Sequence, residues 1–374
     1  MTLTHYSPEL SIVVAARNDS HGVDFLHRVQ LFVTGLLEQA HHFGANWELV
    51  IVEWNPPEGQ PRLRDALTWP SSRKCSVRII EVPPSLHKRY RYAEKLLPYQ
   101  MIAKNVGIRR AQGRFILATN ADILFSDEVA AFLSSGNLRT DLVYRIDRYD
   151  IPSDIPGNLS VEDRLDYCKG HILRVNTRNG TPNVVEARSQ RTLNPHFIIP
   201  PTAYFFLKSR QAHLQRSRGK RTSVPRESPK PATRVLWFVK SLFRAPYPHL
   251  HMNACGDFTL FARESWFALH GYPEFDMYPL HLDSLLLHMA YNYGLHETVL
   301  QDPMRIYHLE HPHSWNPDTE EEIRERLNRL GVPMLELEQC EPWFIRMYYQ
   351  KRPLIFNDEA WGLASQSLPE TRVV

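Results

Sequence analysis

Residues 104–128, KNVGIRRAQGRFILATNADILFSDE, constrain the fold more than any other stretch of this chain. Lys104 to Ala111 has apolar or small residues at Val106, Ile108 and Ala111, the broken periodicity of a short helix. Gly113 reads as the stop just past a helix end. RFILAT follows, a short apolar run bounded by turn residues, and reads as a buried strand. It ends in Asn120-Ala121-Asp122, and a polar triplet at the carboxyl end of a strand is where an open α/β sheet binds ligands. Ser126, with Asp127 and Glu128 behind it, has the pattern of a helix cap and first turn. A carboxylate just past a buried strand costs free energy unless it has a partner. For Asp122 that partner is either a turn it caps or a divalent cation that takes it as an oxygen ligand.

The chain before this stretch reads β-α-β, the start of a doubly wound sheet. SIVVAA (11–16) is a strand ending in Arg17-Asn18-Asp19, and residues 25–40 carry a helical apolar stripe at 25, 26, 29, 32, 33, 36 and 37. ELVIVEW (48–54) is the second strand, with Glu53 near its end, and Asn55-Pro56-Pro57 stops it. SVRIIEV (76–82) is the third. No Gly-x-Gly-x-x-Gly follows the first strand, so a dinucleotide fingerprint is absent and phosphate must be held by another device. A metal at Asp122, helped by basic side chains, would serve. HKRYRYAEK (87–95) either lies near a diphosphate or is a solvated basic face. LVYRIDRYDI (142–151) alternates as an edge strand does; its Arg145, Asp147, Arg148 and Asp150 either reach toward a ligand or form a surface ion-pair lattice.

At 374 residues the chain can bury one large core, or one core with an appendage. No apolar run approaches the ~20 residues a membrane span needs. MTLTHYSPEL lacks the basic and apolar regions of a secretory signal. Cys75, Cys168, Cys255 and Cys340 have neither zinc nor disulfide spacing. The expected location is cytoplasmic. The net charge of +3 hides an asymmetry: residues 208–244 hold eleven Lys/Arg against Glu227 alone, +10 in that segment and −7 in the remainder. Residues 152–250 read as an irregular insert whose basic 208–233 is disordered. RVLWFVKSLFR (234–244) is an amphipathic basic helix that either packs on the protein or touches the inner face of a membrane. The basic insert contains no nucleic-acid reading motif, so no specific nucleic acid is expected. Boundaries fall at 1–151, 152–250, 251–315 and 316–374; the last reads as a cap, with a charged helix (319–330) and the aromatic segment PWFIRMYYQKRP.

Lys104, Asn105, Gly107, Ala111, Gly113 and the triplet 120–122 resemble the nucleotide-sugar-binding half of GT-A-fold glycosyltransferases, the family 2-like group in particular. That group has Asp where this chain has Asn120, so one formal charge of the expected metal site is missing. The resemblance covers 11–128 and 252–311. It implies a GT-A-like (Rossmann-like) α/β fold: a mostly parallel sheet with helices on both faces, an acceptor subdomain and a C-terminal cap. It implies a hexosyltransferase-like enzyme moving a sugar from a nucleotide-diphospho-sugar donor to a hydroxyl acceptor with inversion. Donor contacts then fall to Arg17, Glu53 (at the nucleobase), Lys104, Asn105, Asn120 and Asp122. Gly256 and Asp257 begin the acceptor site. Asp283 is the base, unless it only caps the helix 281–294. Asp122 and His308 hold Mn or Mg, with His311 the rival to His308 and His313 close by. The alternatives are a nucleotidyltransferase, for which ARNDSHG is a poor glycine loop, or a non-catalytic protein that binds sugar nucleotides or, through 208–244, nucleic acid.

Overall fold

Alternation along the buried strands sorts their side chains to two faces, and each face takes its own helix. The computed structural model describes residues 8–19, 24–182, 247–312, 316 and 318–374. Residues 185–249 form a separate unit, described only at 247–249; residues 1–184 and 250–374 form the other. In chain order the second unit has β1 (Leu10–Ala16), α1 (Phe25–His42), β2 (Trp47–Trp54), α2 (Leu63–Ala66), β3 (Cys75–Val82), α3 (Pro84–His87), α4 (Gln100–Arg110) and β4 (Phe115–Thr119). β5 (Ile123–Phe125), α5 (Asp127–Ser134), β6 (Leu142–Ile146), β7 (Arg148–Ile151), α6 (Val161–Gly170) and β8 (Arg174–Asn176) follow. After 250 come β9 (Phe258–Ala262), α7 (Arg263–Ala268), α8 (Leu282–Tyr293), β10 (His296–Leu300), β11 (Ile306–Leu309), α9 (Glu320–Leu330), α10 (Leu337–Gln350) and β12 (Glu370–Arg372).

Among the described residues the main sheet has eight strands in the order β10-β6-β9-β4-β1-β2-β3-β12. Pairs β1–β2, β1–β4, β2–β3 and β10–β6 are parallel. β9 runs antiparallel between β4 and β6, and β12 runs antiparallel along β3. This is the α/β class expected, a mostly parallel sheet with helices on both faces. Leu10, Ile12 and Val14 of β1 and Leu49 and Ile51 of β2 join Val29, Phe32, Val33 and Leu36 of α1 in one core. Val13, Val50 and Val52 face α4 instead, which approaches so closely that a Cβ at Gly107 would stand 2.5 Å from Val13 Cγ1. A smaller sheet, β5-β11-β7-β8, pairs β11 antiparallel to β5 and parallel to β7.

Several expectations are corrected. Gly113 is not a left-handed helix stop. α4 already ends at Arg110, with Ala111 extended. Gly113 is required because a Cβ there would lie 2.5 Å from Ser11 N. Residues 142–151 are not one edge strand: β6 lies inside the main sheet, beside β9, and β7 inside the second sheet. They divide at Asp147, and Arg145, Arg148 and Asp150 are buried, so the surface-lattice reading fails for them. Residues 152–182 are more ordered than expected and hold α6 and β8. The tail does more than cap: β12 adds the eighth strand, with Thr371 opposite Ile79. The segments 208–233 and 234–244 and His313 lie outside the described residues.

Gly107→Ala should cost about 1–3 kcal/mol of stability in urea denaturation, because the β-branched Val13 and Val52 have little freedom to turn away. An unchanged midpoint would mean that α4 can lift off the sheet without penalty.

Candidate functional site

The site follows from register. β4 ends at Thr119, which pairs with Phe258 at the start of antiparallel β9. The amino end of β9 therefore lies at the carboxyl rim of the parallel strands, and Asp257 meets Asn120 there. β6 is parallel to β4, so the chain leaving it, Asp147-Arg148, reaches the same rim. In the second sheet His308 pairs with Ile123 on one side and Asp150 on the other, and Leu309 N donates to Asp122 O at 3.0 Å.

Asp122, His308 and His311 converge: their ligand atoms lie within 4.8 Å of one another. His311 Nε2 is 3.4 Å and His308 Nε2 3.9 Å from Asp122 Oδ2. Arg28 Nε, from the buried side of α1, stands 4.0 Å from the same oxygen. Burial works against the Asp122 carboxylate, yet His311, His308 and Arg28 hold its pKa well below the usual range. His308 Nδ1 lies 3.1 Å from Asp150 Oδ1. A carboxylate only accepts, so Nδ1 carries the proton and Nε2 of the neutral ring is left with its lone pair toward Asp122. Burial and Arg148 lower the His308 pKa, but Asp150 and Asp122 outweigh them and it is raised.

These residues fit a divalent cation. Two imidazoles and a carboxylate form a mixed nitrogen and oxygen donor set, one imidazole is oriented from behind by a carboxylate, and Asp122 Oδ1 is buried with no hydrogen-bond partner among the described residues. His311, taken from sequence only as a rival to His308, stands beside it instead.

Arg148 joins this cluster to the rest of the rim. Its guanidinium lies 2.8 Å from Asp150 and 2.6 Å from Asp257. Asp257 accepts a further bond from the Asn120 amide, and Asn120 Oδ1 accepts from Gln100 Nε2 at 2.8 Å. Asn120 is thus a neutral strut whose amide is engaged on both sides by protein groups. Asp257 is buried, and each of its carboxylate oxygens accepts a bond within the rim.

Asp283 is brought in by α8. It is not the cap: His281 holds that position, in a left-handed conformation, and Asp283 falls in the first turn. Its Oδ2 would be 3.1 Å from a Cβ at Gly256, so a glycine there admits the carboxylate. Lys104 Nζ, fully buried, donates to Gly256 O at 2.6 Å. Burial pulls its pKa down to about 8 against the opposing pull of Asp257, Asp283 and Asp122. Asp122 and Asp283 both act on this ammonium. Lys104 itself lies beneath the rim and is inaccessible to a donor.

The remaining predicted donor residues divide. Arg17 leaves the carboxyl end of β1, half-buried, with Nε donating to Asn55 O at 2.6 Å and its other end on Asp19. Glu53 is 1% exposed and accepts from Leu63 N at 3.0 Å, the start of α2. Burial raises its pKa from 4.5 to about 7. Asn105 is not at the rim. It is fully buried, donating to Tyr272 O and Glu274 and accepting from Tyr272 N, and so holds the Gly271-Tyr272 turn. In 87–95 the aromatic residues turn in, with Trp54 Nε1 donating to His87 at 2.9 Å and Tyr90 4.8 Å from Tyr99, while Lys88, Arg89 and Arg91 are exposed. This is the solvated basic face.

Sequence reasoning missed Arg28 and Gln100 and left Asp150 unassigned. Arg28 was traceable: it falls three residues after Phe25 and four before Phe32, on the apolar stripe of α1, where an arginine needs a buried partner.

No protein-family model matches the chain, and no curated protein matches it. Solved structures of TarS from S. aureus overlap it loosely. TarS 1–349 shares 12% identity over 92% of this chain and 71% of that one, with a TM-score of 0.36. The same protein in complex with UDP-GlcNAc gives 13%, 92%, 72% and 0.36. In complex with UDP it gives 12%, 91%, 70% and 0.35. A longer TarS structure is covered over 43% of its length. So loose an overlap assigns neither an activity nor a residue role.

Asn120→Asp should destabilise the protein by about 1–3 kcal/mol at pH 7, since a carboxylate would replace the donor facing Asp257. Equal melting temperatures for the two proteins would sink this reading of the strut. Glu53 gives a pH-dependent prediction. Its folded pKa is raised, so the folded state binds the proton more tightly. Its contribution to stability is full below pH 4.5 and is lost as pH rises to about 7. Relative to wild type, Glu53→Gln should gain up to about 3 kcal/mol between pH 5 and pH 8. Parallel stability curves would contradict it.

Proposed function

We propose that this chain is a GT-A-type glycosyltransferase that moves a sugar from a nucleotide-diphospho-sugar to a hydroxyl acceptor. The observation that carries the reading is the convergence of Asp122, His308 and His311 at the rim where Gly256 admits Asp283. Asp122, His308 and His311 would hold a divalent cation, and imidazole donors favour manganese over magnesium. When bound, the cation supplies Lewis-acid stabilisation of the departing diphosphate.

The chain's own residues supply the rest. Asp283 acts as general base, taking the proton of the incoming hydroxyl at a carboxylate oxygen. Gly256 leaves the space its carboxylate needs, and the buried Lys104 Nζ lies beside the same glycine. Arg148 and Asp150 fix His308, so the donor set is preorganised. Arg17, leaving β1 at the same rim and held by Asn55 and Asp19, is a basic group for the donor's phosphates. With the base and the diphosphate on opposite sides of the sugar, the reaction is a direct displacement with inversion. Among the described residues no helix is long and apolar enough to cross a membrane.

Titrating the protein with UDP-, GDP- and TDP-sugars, with and without manganese, should show binding to one of them that strengthens with the metal. Asp283→Asn should keep that affinity and lose transfer by about 100-fold or more, and His311→Ala should lose the metal's effect. Absence of binding to every sugar nucleotide would remove the reading, and full turnover by Asp283→Asn would remove the base.

A further inference from the structure

We propose that His281 is a positioning residue for the base: its ring and its left-handed backbone fix the first turn of α8, and through that turn the direction in which Asp283 enters the cleft. This rests on the transferase reading of the same site. The Asp283 carboxylate is confined on both sides. Its Oδ1 accepts from Ser284 N at 2.8 Å, so the side chain folds back on the start of its own helix. Its Oδ2 faces Gly256, where even a Cβ would stand 3.1 Å away. A small rotation of the turn that carries Asp283 therefore breaks one contact or closes the other.

That turn begins at residue 281. Leu285 N donates to His281 O at 3.0 Å, the first bond of the helix, and His281 is the N-cap with φ 62° and ψ 2°. An N-cap normally has extended backbone and a side-chain oxygen that accepts from the helix. His281 makes no such cap bond. The left-handed region favours glycine, and histidine enters it only at some cost. Position 281 nevertheless carries an imidazole, and its Nδ1 lies 3.4 Å from Ser284 Oγ, one turn on. Ser284 is buried behind the same turn, its Oγ 3.7 Å from Cys255 Sγ. Cys255 precedes Gly256, and Ala254 before it is itself left-handed, with φ 49°. Ring, serine and cysteine thus link the two segments whose separation sets how Asp283 meets Gly256. Burial pushes the His281 pKa down, with Arg324, against the pull of Asp283, Glu336 and Glu338. At neutral pH the ring therefore adds no charge beside the base and acts by contact.

The test takes water as the acceptor. Hydrolysis of a UDP-, GDP- or TDP-sugar, read as release of the nucleoside diphosphate, draws on the same base. The water O–H breaks, its proton passes to Asp283, its oxygen bonds to the anomeric carbon and the diphosphate leaves. His281→Gly keeps the left-handed backbone and removes the ring. It should bind the donor with unchanged KM, melt no lower than the wild type, and lose kcat by about 10- to 100-fold. His281→Asn tolerates the same backbone, places an amide atom where Nδ1 stands, and should recover most of that loss. Ser284→Ala should also lower kcat, and should add little when combined with His281→Gly, because the two act as one. Lys351→Gly relaxes a left-handed residue at the far end of α10 and should leave kcat unchanged. A crystal structure of His281→Gly should show the Asp283 carboxylate turned away from Gly256. Full turnover by His281→Gly, or an unmoved carboxylate in its structure, overturns the inference while the transferase reading stands. So does a fall in melting temperature that parallels the loss of kcat, or a His281→Asn variant as slow as His281→Gly. Binding of none of the sugar nucleotides removes the transferase reading and this role together.

Discussion

The carboxyl rim of this sheet depends on one buried guanidinium. Arg148 stands between Asp150 and Asp257, each within ion-pair distance and all three almost without solvent. Removing the cation would leave two carboxylates facing each other in a low-dielectric interior, a loss of about 3–5 kcal/mol for a broken buried pair. An arginine suits the position because its planar fork can serve two acceptors in fixed directions, which a lysine's point charge cannot. Asp150 in turn sets the His308 ring, and Asp257 sets the Asn120 amide. The two halves of the candidate site therefore share one counter-ion, and the orientation of each is tied to that of the other.

That arrangement needs β9 to run against its neighbours. In a wholly parallel sheet, the residues preceding β9 would lie at the opposite, amino rim. Inserted antiparallel between β4 and β6, β9 delivers Cys255-Gly256-Asp257 to the carboxyl rim. Arg145, leaving β6 with no exposure, then ties down the approach to it by donating to the carbonyls of His251, Asn253 and Cys255. Opposite, at the amino rim, Glu48 is buried between Arg78 and Ser11. Its carboxylate also accepts from Gln112 N. This second polar knot fastens the turn that feeds β4. The strand leading to Asp122, β4, is thus held at both ends by buried, hydrogen-bonded charge, which suits a site whose geometry must be fixed before a ligand arrives.

What the sequence made legible were the features whose physics is local. The β-α-β opening, the apolar run 115–119, the Ser126 cap and the strand-end positions of Asp122 and His308 all follow from periodicity and turn chemistry within a dozen residues. The parts it concealed are non-local. LVYRIDRYDI alternates perfectly well as one strand, and nothing within it says that the chain changes sheets at Asp147. Asn105 has the look of a ligand contact because it is polar and follows Lys104. Only the turn at Gly271, 166 positions later in the sequence, shows that its amide is already used. Gly113 was recognised as necessary for the wrong reason: the demand comes from the backbone at Ser11, not from its own φ. Arg28 stood in plain view on an apolar stripe, yet its partner Asp122 is 94 residues away.

The same non-local logic explains the residue at 120. Taken alone, Asn in place of Asp subtracts a charge from a metal site. Within the fold, an aspartate there would confront Asp257, which Arg148 already holds and which has nothing left to donate. The position needs a donor, and Asn supplies one without altering shape. Donor atoms come from elsewhere, without the charge: His308 of β11 and His311 of the turn after it bring nitrogens to Asp122. One carboxylate with two imidazoles carries less negative charge than two carboxylates, and Arg28 nearby reduces it further. Such a site would hold hard magnesium weakly and would rely on the directional preference of imidazole for softer divalent ions. The missing acid at 120 is then a consequence of one constraint, the buried carboxylate of Asp257 that its amide must face.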